Sequence, residues 1–166
     1  MRKQFLIVLF VLISVPVFSY APMGRSFGFG LVFGDPLGGT MKFWLSGNTA
    51  IAVSIGADVF GAPRIGADYL WHFNAFRSSV VNLYAGPGVA LGFGYGGDYI
   101  LYRVGHDTWI YRPGGGPGVA VRGILGIDVD PTNTPIEMFL ELGPMLGLVP
   151  AYGMRFDAAL GIRFYP

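Results

Sequence analysis

The sequence predicts an all-β protein, an eight-stranded antiparallel up-and-down transmembrane β-barrel preceded by a cleavable signal peptide, and three observations carry that expectation. Apolar residues recur at every second position through one segment after another, which is the period of a strand and not of a helix. Clusters of Gly, Pro, Asn and Asp separate these segments by short intervals, as antiparallel neighbours require. The face opposite the apolar one is built of small residues interrupted by single charges, where a wetted surface would carry many Lys, Glu, Asn and Gln. A small-residue face suits the cramped interior of a closed barrel, and a Phe, Leu, Ile and Val face suits lipid. Closure also satisfies every backbone group in hydrocarbon, which an open sheet cannot do.

The elements follow in order. Residues 1–21 begin with Arg2 and Lys3, continue as an apolar run from Phe5 to Phe18 and leave through Ser19-Tyr20-Ala21, the pattern of a secretory signal removed after about Ala21. Residues 22–166 then form one barrel domain. The first strand sets Phe27, Phe29, Leu31 and Phe33 against Ser26, Gly28 and Gly30, and the second sets Met41, Phe43 and Leu45 against Lys42. Ile51, Val53, Ile55 and Val59 oppose Ala52, Ser54, Gly56 and Asp58 in the third; Ile65, Ala67, Tyr69, Trp71 and Phe73 oppose Arg64, Gly66, Asp68 and His72 in the fourth. A fifth strand alternates from Val81 to Phe93, a sixth carries Arg122 opposite Val121 and Leu125, and a seventh carries Glu137 and Glu141 opposite Met138, Leu140 and Leu142. The last, "GMRFDAALGIRFY", places Phe156, Ala158, Leu160, Ile162 and Phe164 on one parity and Arg155, Asp157, Arg163 and Tyr165 on the other. Turns are expected at Gly34–Gly38, Gly47-Asn48, Gly61–Pro63, Asn74–Ser79 and Asp128–Pro135. Pro87 and Pro144 fall inside strands of a sheet without a free edge, so bulges are expected there.

Only 13% of the 166 residues are charged, about half the usual share, and cysteine is absent. There is thus neither a disulfide framework nor a thiol for lipid attachment, and stability rests on packing, hydrogen bonds and surroundings. Loss of Arg2 and Lys3 with the signal lowers the bases from 11 to 9 against 10 acids, a net charge of −1 that excludes nucleic acid as a partner.

Parity gathers an interior ion network, with Lys42, Arg64, Arg122, Arg155 and Arg163 facing Asp58, Asp68, Glu137, Glu141 and Asp157. Unpaired, such charges would each cost several kcal/mol. A turn centred on Pro131 and Thr132 would set Arg122 directly opposite Glu141, the first ion pair to expect. The network reads as the filling of a narrow barrel. An ion or proton path is the sharper alternative, and a soluble lipocalin-like carrier with the apolar parity inside is a second.

These features together resemble the small outer-membrane β-barrels typified by the transmembrane domain of OmpA and by OmpX. The closing "ALGIRFYP" is similar to the outer-membrane assembly signal, with Leu160, Gly161 and Phe164 in the matching places and Pro166 where that signal has an aromatic. More narrowly, "FGFGLVFGDPLGGTMKFWLS", "ADYLWHF" and "FLELGPMLGLVP" resemble a family of small spirochaetal outer-membrane barrels. The resemblance implies location in a bacterial outer membrane, contact with its lipid and with the barrel-assembly machinery, both termini in the periplasm, long loops outside and no catalytic residues.

The longest interruption is Gly96–Gly118, in which Tyr99–Val104 and Thr108–Arg112 flank Gly105-His106-Asp107 as a hairpin. Tyr99, Tyr102, Arg103, His106, Trp109, Tyr111 and Arg112 form an aromatic and arginine set suited either to a headgroup belt or to an extracellular protein or host ligand. Other signals are weak. "GFGYGG" at Gly92–Gly97 matches a dinucleotide fingerprint but is followed by strand instead of a helix. The repeated "GPGVA" at Gly86–Ala90 and Gly116–Ala120 suggests paired positions on adjacent strands. His72 and His106 lack partners at metal-ligand spacing, so neither metal nor cofactor is expected. Ser54, His72 and Asp68 follow no catalytic pattern, and the expectation is a non-enzymatic structural or surface-interaction protein.

Overall fold

Alternating side chains leave each strand with one apolar and one mixed face, and the chain hides the mixed face by rolling the sheet closed. A computed structural model describes residues 24–58, 60–93, 103–104, 108–109, 117–149 and 153–166. The segment 1–21, expected to be a signal, and most of the 96–118 set, namely Tyr99, Tyr102, His106, Tyr111 and Arg112, lie outside the described residues; of Arg103 and Trp109 only the backbone is described.

The strands are β1 (Phe27–Gly34), β2 (Leu37–Trp44), β3 (Thr49–Asp58), β4 (Gly61–Phe73), β5 (Val81–Gly92), β6 (Arg103–Val104), β7 (Thr108–Trp109), β8 (Gly118–Val129), β9 (Ile136–Val149) and β10 (Gly153–Phe164). Eight of them form a closed antiparallel barrel in the cyclic order β1-β10-β9-β8-β5-β4-β3-β2, while β6 and β7 make a separate hairpin between β5 and β8. Within that hairpin Arg103 pairs with Trp109 and Val104 with Thr108. The barrel closes between β1 and β10, where Phe29–Gly34 run against Ala159–Phe164.

The two faces sort as parity requires. Outward lie Phe29, Leu31, Leu45, Ile55, Leu125, Leu142, Phe156 and Leu160, all exposed; inward and buried lie Lys42, Arg64, His72, Glu137 and Arg163. This is the reverse of a carrier with an apolar interior. Apolar side chains do enter the lumen, but as small groups such as Val32, Phe139 and Ala159, or Ala52, Leu70, Tyr84 and Ile124, packed between the charges.

Several local expectations change. Gly61–Pro63 belongs to β4 and Asp128 to β8, so the turn signals there mark strand ends and not loops. The β8–β9 register places Val129 opposite Met138 and Gly126 opposite Glu141, so Arg122 faces Met145 and not Glu141. The turn is therefore centred between Asn133 and Thr134, two residues later than Pro131-Thr132. Asn133 takes a left-handed conformation (φ 62°), and Thr134 closes the turn by donating its N–H to the Pro131 carbonyl at 3.1 Å. Nor do Pro87 and Pro144 create bulges. Pairing between β4 and β5 stops after Asp68–Gly88 and resumes at Trp71–Ala85 in the same register, and pairing between β8 and β9 stops after Arg122–Met145 and resumes at Leu125–Leu142. The imino residues simply open the ladder on one side, because they have no N–H to contribute. The register shifts fall instead at Gly56/Asp58 and Val119/Ala120, near the barrel rim. The two "GPGVA" copies meet across strands only at Ala90 and Ala120, since Val119 faces Leu91 and Gly88 faces Arg122.

Both described ends of the chain lie at one rim, which also carries the turns 45–48, 74–80 and 130–135. At the opposite rim three connections span only two or three residues, and the single long one is 93–117. Long loops all round, as the resemblance implies, are thus reduced to one.

Candidate functional site

The lumen is the candidate site, and its charges fall into two groups. Toward the rim with the long connection, Arg64 bonds Asp58 through one guanidinium nitrogen and donates the other to Asp157 at 2.6 Å. Arg155 reaches Asp35 at 2.8 Å and Asp157 at 2.9 Å. Arg122 grips Asp68 with both Nε, at 2.7 Å, and Nη2, and lies 3.6 Å from Asp157. Two-point contacts of this kind hold a planar cation in one orientation, which a lysine could not match.

Toward the rim with the termini, Glu137 is the hub. It accepts from Lys42 at 3.0 Å, from Arg163 at 2.5 Å and from the Tyr165 hydroxyl. Arg163 also donates to Thr40 at 3.1 and 3.2 Å and stacks over the Phe139 ring at 3.8 Å. Glu141 accepts from Tyr84 at 2.9 Å and lies 3.7 Å from Arg163. Lys42 sits 4.5 Å from the Trp44 ring centroid and 5.3 Å from that of Tyr84, so its ammonium is held by aromatic faces as well as by acids.

All ten charges that parity assigned to the lumen are inside the barrel and joined to one another, in a different pairing from the one the misplaced turn suggested. Asp35, Asp128 and Asp130 join them, so five cations meet eight carboxyls among the described residues. Asp128 lies 3.5 Å from Lys42 and 3.4 Å from His72 Nε2, and Asn82 donates to both Asp128 (2.9 Å) and Asp130 (3.4 Å). Parity carried the signal for Asp128, which shares its face with Arg122. The carboxyl of Asp130, beyond the end of β8, is pushed up to about 8 by burial and by the nearby Asp128 and Glu137 carboxylates.

That shift has a testable sign. The folded chain holds the Asp130 proton more tightly than the unfolded chain, whose carboxyl titrates near 3.8. The resulting stability is fully present below that value and is lost as pH rises through about 8. Asp130→Asn keeps an acceptor for Asn82 and cannot ionise. Its advantage over the parent in denaturant midpoint should therefore be absent at low pH, grow across that interval and level off above it; a constant offset at all pH values would contradict the assignment.

Glycines make room for these long side chains. A Cβ on Gly126 would overlap the Tyr84 ring, and one on Gly28 would fall 2.6 Å from the Tyr165 ring. What space remains is small: two voids of about 10 Å³ each flank Arg122 and Glu141, one touching Asp35 and Asp157 and the other Thr40, Ser54 and Arg163. Each could hold about one water. Ser54 and Asp68 border the second void while His72 lies against Asp128, so the three do not meet as a catalytic set. Among the described residues no cluster of His, Asp and Glu could hold a metal ion. Leu160 and Phe164 point outward and Gly161 inward on β10.

No protein-family model and no curated protein matches the sequence. The fold is similar to the crystal structure of the N-terminal β-barrel domain of Pseudomonas aeruginosa OprF, with a TM-score of 0.54 and 18% identity over 83% of this chain and 93% of that one.

Proposed function

We propose that the chain is an integral outer-membrane barrel that is closed by its own ion network and serves a structural and surface-interaction role, presenting the 96–118 hairpin outside the cell. The observation that carries this reading is the inversion of the faces: apolar side chains point outward around the whole barrel while Arg64, Arg163, Lys42 and Glu137 are fully enclosed. In water that arrangement would leave the apolar belt exposed; a bilayer removes that cost, while the enclosed charges are offset by their partners in the network. Phe27, Phe29, Phe43 and Phe164, in ring contact near the rim of the termini, and Tyr69 with Trp71 fit an interfacial girdle. The likeness to the OprF barrel domain fits the same setting, and the C-terminal Leu160, Gly161 and Phe164 fit recognition by the assembly machinery. The "FGFGLVFGDPLGGTMKFWLS" and "ADYLWHF" stretches support a place among the spirochaetal barrels.

The test is to refold residues 22–166 in detergent and in plain buffer and compare gel migration with and without boiling. A compact, heat-modifiable form that needs detergent supports the reading; a water-soluble folded species would overturn it. For the surface role, deleting Gly105–Asp107 should leave that migration unchanged and lower adhesion to host or bacterial surfaces, and unchanged adhesion would retire it. The narrow channel is kept as a second reading because Arg122 and Glu141 line both voids. If the network is a plug, planar bilayers should be silent with the parent and show openings with Arg122→Ala; steady conductance in the parent, abolished by Arg122→Ala or Glu141→Ala, would instead establish the channel.

A further inference from the structure

Antiparallel strands satisfy each other's backbone groups only as far as both continue, and the two strands of the seam do not end together. At the rim with the long connection β1 stops at Gly34, opposite Ala159. The chain then turns back through Asp35 and Pro36, and Asp35 donates its N–H to the Ala158 carbonyl at 2.9 Å. Past that turn β10 runs on through Gly153–Asp157, its other side paired to β9 throughout. Hydrogen-bonding residues alternate along an antiparallel ladder, so Phe156 and Met154 turn their N–H and C=O to the same side as Ala158. No described strand meets them there. Among the described residues Phe156 is accordingly the most exposed of the large apolar side chains, at 70%. The five residues cover about 17 Å of strand, or roughly 12 Å of height at a barrel tilt of about 45°. The wall thus has a notch at this rim, with the 35–36 turn as its floor. Behind it stands Arg155, 2.8 Å from Asp35 and 3.7 Å from Asp58 on β3.

We propose that this notch is a docking edge for an extended segment of another protein, which pairs with Gly153–Asp157 as an added strand along the line of β1. The inference rests on the membrane reading above, which raises the cost of an open edge: in hydrocarbon each unpaired backbone N–H or C=O costs several kcal/mol. A lipid chain covers such groups without bonding them, whereas a strand offers a donor and an acceptor at every second residue. Orientation excludes a second copy. Copies inserted in the same sense are related by an axis along the membrane normal, which sets two strands tilted by about 45° nearly perpendicular instead of side by side. Charge specifies the partner further. Three acids, Asp35, Asp58 and Asp157, share Arg64 and Arg155, while Arg122 is gripped by Asp68 and stays 3.6 Å from Asp157. Asp35 keeps 38% of its side chain exposed. The segment that fits alternates apolar residues, outward beside Met154 and Phe156, with a Lys or Arg turned inward to Asp35.

The probe is the labelled peptide acetyl-Val-Thr-Val-Lys-Val-Thr-Val-amide, titrated onto the refolded barrel in detergent and followed by fluorescence polarisation. In an added antiparallel strand the residues whose N–H groups face β10 are those whose side chains point outward with Phe156, here the valines. N-methylation of the inner valines should weaken binding by up to roughly tenfold for each N–H blocked, and N-methylation of the Thr and Lys residues should leave it unchanged. Replacing the peptide's Lys by Glu should also weaken it, since Asp35 then meets a like charge. On the protein, Phe156→Pro removes an N–H from the open side and none from the β9 ladder. It should abolish binding and keep heat-modifiable migration, and Phe156→Ala should bind like the parent. If Phe156→Pro does not refold, the methylation series decides alone. Binding that ignores both the methylation parity and Phe156→Pro is adsorption to the apolar belt and would overturn the docking edge, as would no binding; either leaves the membrane reading standing. A chain that folds in plain buffer would overturn the membrane reading, and the same titration in that buffer still decides the edge, because the methylated peptides and Phe156→Pro act on it in any solvent.

Discussion

Replacing Glu137 by alanine should destabilise the barrel by about 3–5 kcal/mol, the cost of breaking a buried charge pair from one side. Glu137 has no exposure and is the shared acceptor of Lys42, Arg163 and the Tyr165 hydroxyl. Lys42 would keep Asp128 at 3.5 Å, but the nearest acid left to Arg163 is Glu141 at 3.7 Å. Two enclosed cations would then share weaker partners, and Tyr165 would lose its acceptor. The measurement is the guanidinium midpoint of the refolded protein followed by heat-modifiable migration. Glu137→Gln should fall between parent and Glu137→Ala, because it keeps an acceptor and loses the charge; equal stability of all three would show that water or rearrangement replaces the hub.

Gly143→Ala is the second large effect, expected at about 2–3 kcal/mol from overpacking. Its added Cβ would collide with the Gly123 carbonyl oxygen and stand 2.8 Å from the carbonyl carbon behind it. These are backbone atoms of the adjacent strand and cannot swing aside as a side-chain tip would. Strands β8 and β9 would have to separate where Pro144 has already opened their ladder. Gly123→Ala, one step across the same gap, meets only the Pro144 ring at 3.8 Å and should be nearly silent. The contrast between the two alanines, read as denaturant midpoints, checks the geometry; similar losses at both would refute it.

Strand identity was legible because a two-residue period constrains every position of a long segment, and a single misjudged turn cannot alter which residues share a face. For the same reason the interior set could be named from parity alone. Partners could not, since register depends on turn geometry. The left-handed Asn133 moves the centre of the β8–β9 turn by two residues and so shifts every pairing across it by four, separating Arg122 from Glu141. Asp128 escaped the interior set because Asp-Val-Asp-Pro is turn chemistry, and composition outweighed parity there. Arg122 finds Asp68, on β4, over Gly88 of the intervening β5, a contact between strands that are not neighbours in the sheet and that the pattern of neither strand encodes.

The seam between β1 and β10 joins Phe29 to Phe164 and Gly34 to Ala159, the ends of the described chain. Most other pairings form between segments close in sequence and can assemble as successive hairpins. This one must wait for loop closure over the whole domain, the slow kind of contact. Until it forms, the chain is an open sheet with two raw edges and an apolar face, the species most prone to stack on its own kind. On the membrane reading proposed above, escort to the bilayer would be a kinetic requirement, set by the interval between the first hairpin and the last strand, and slowing the seam alone should raise aggregation without changing the stability of the finished barrel.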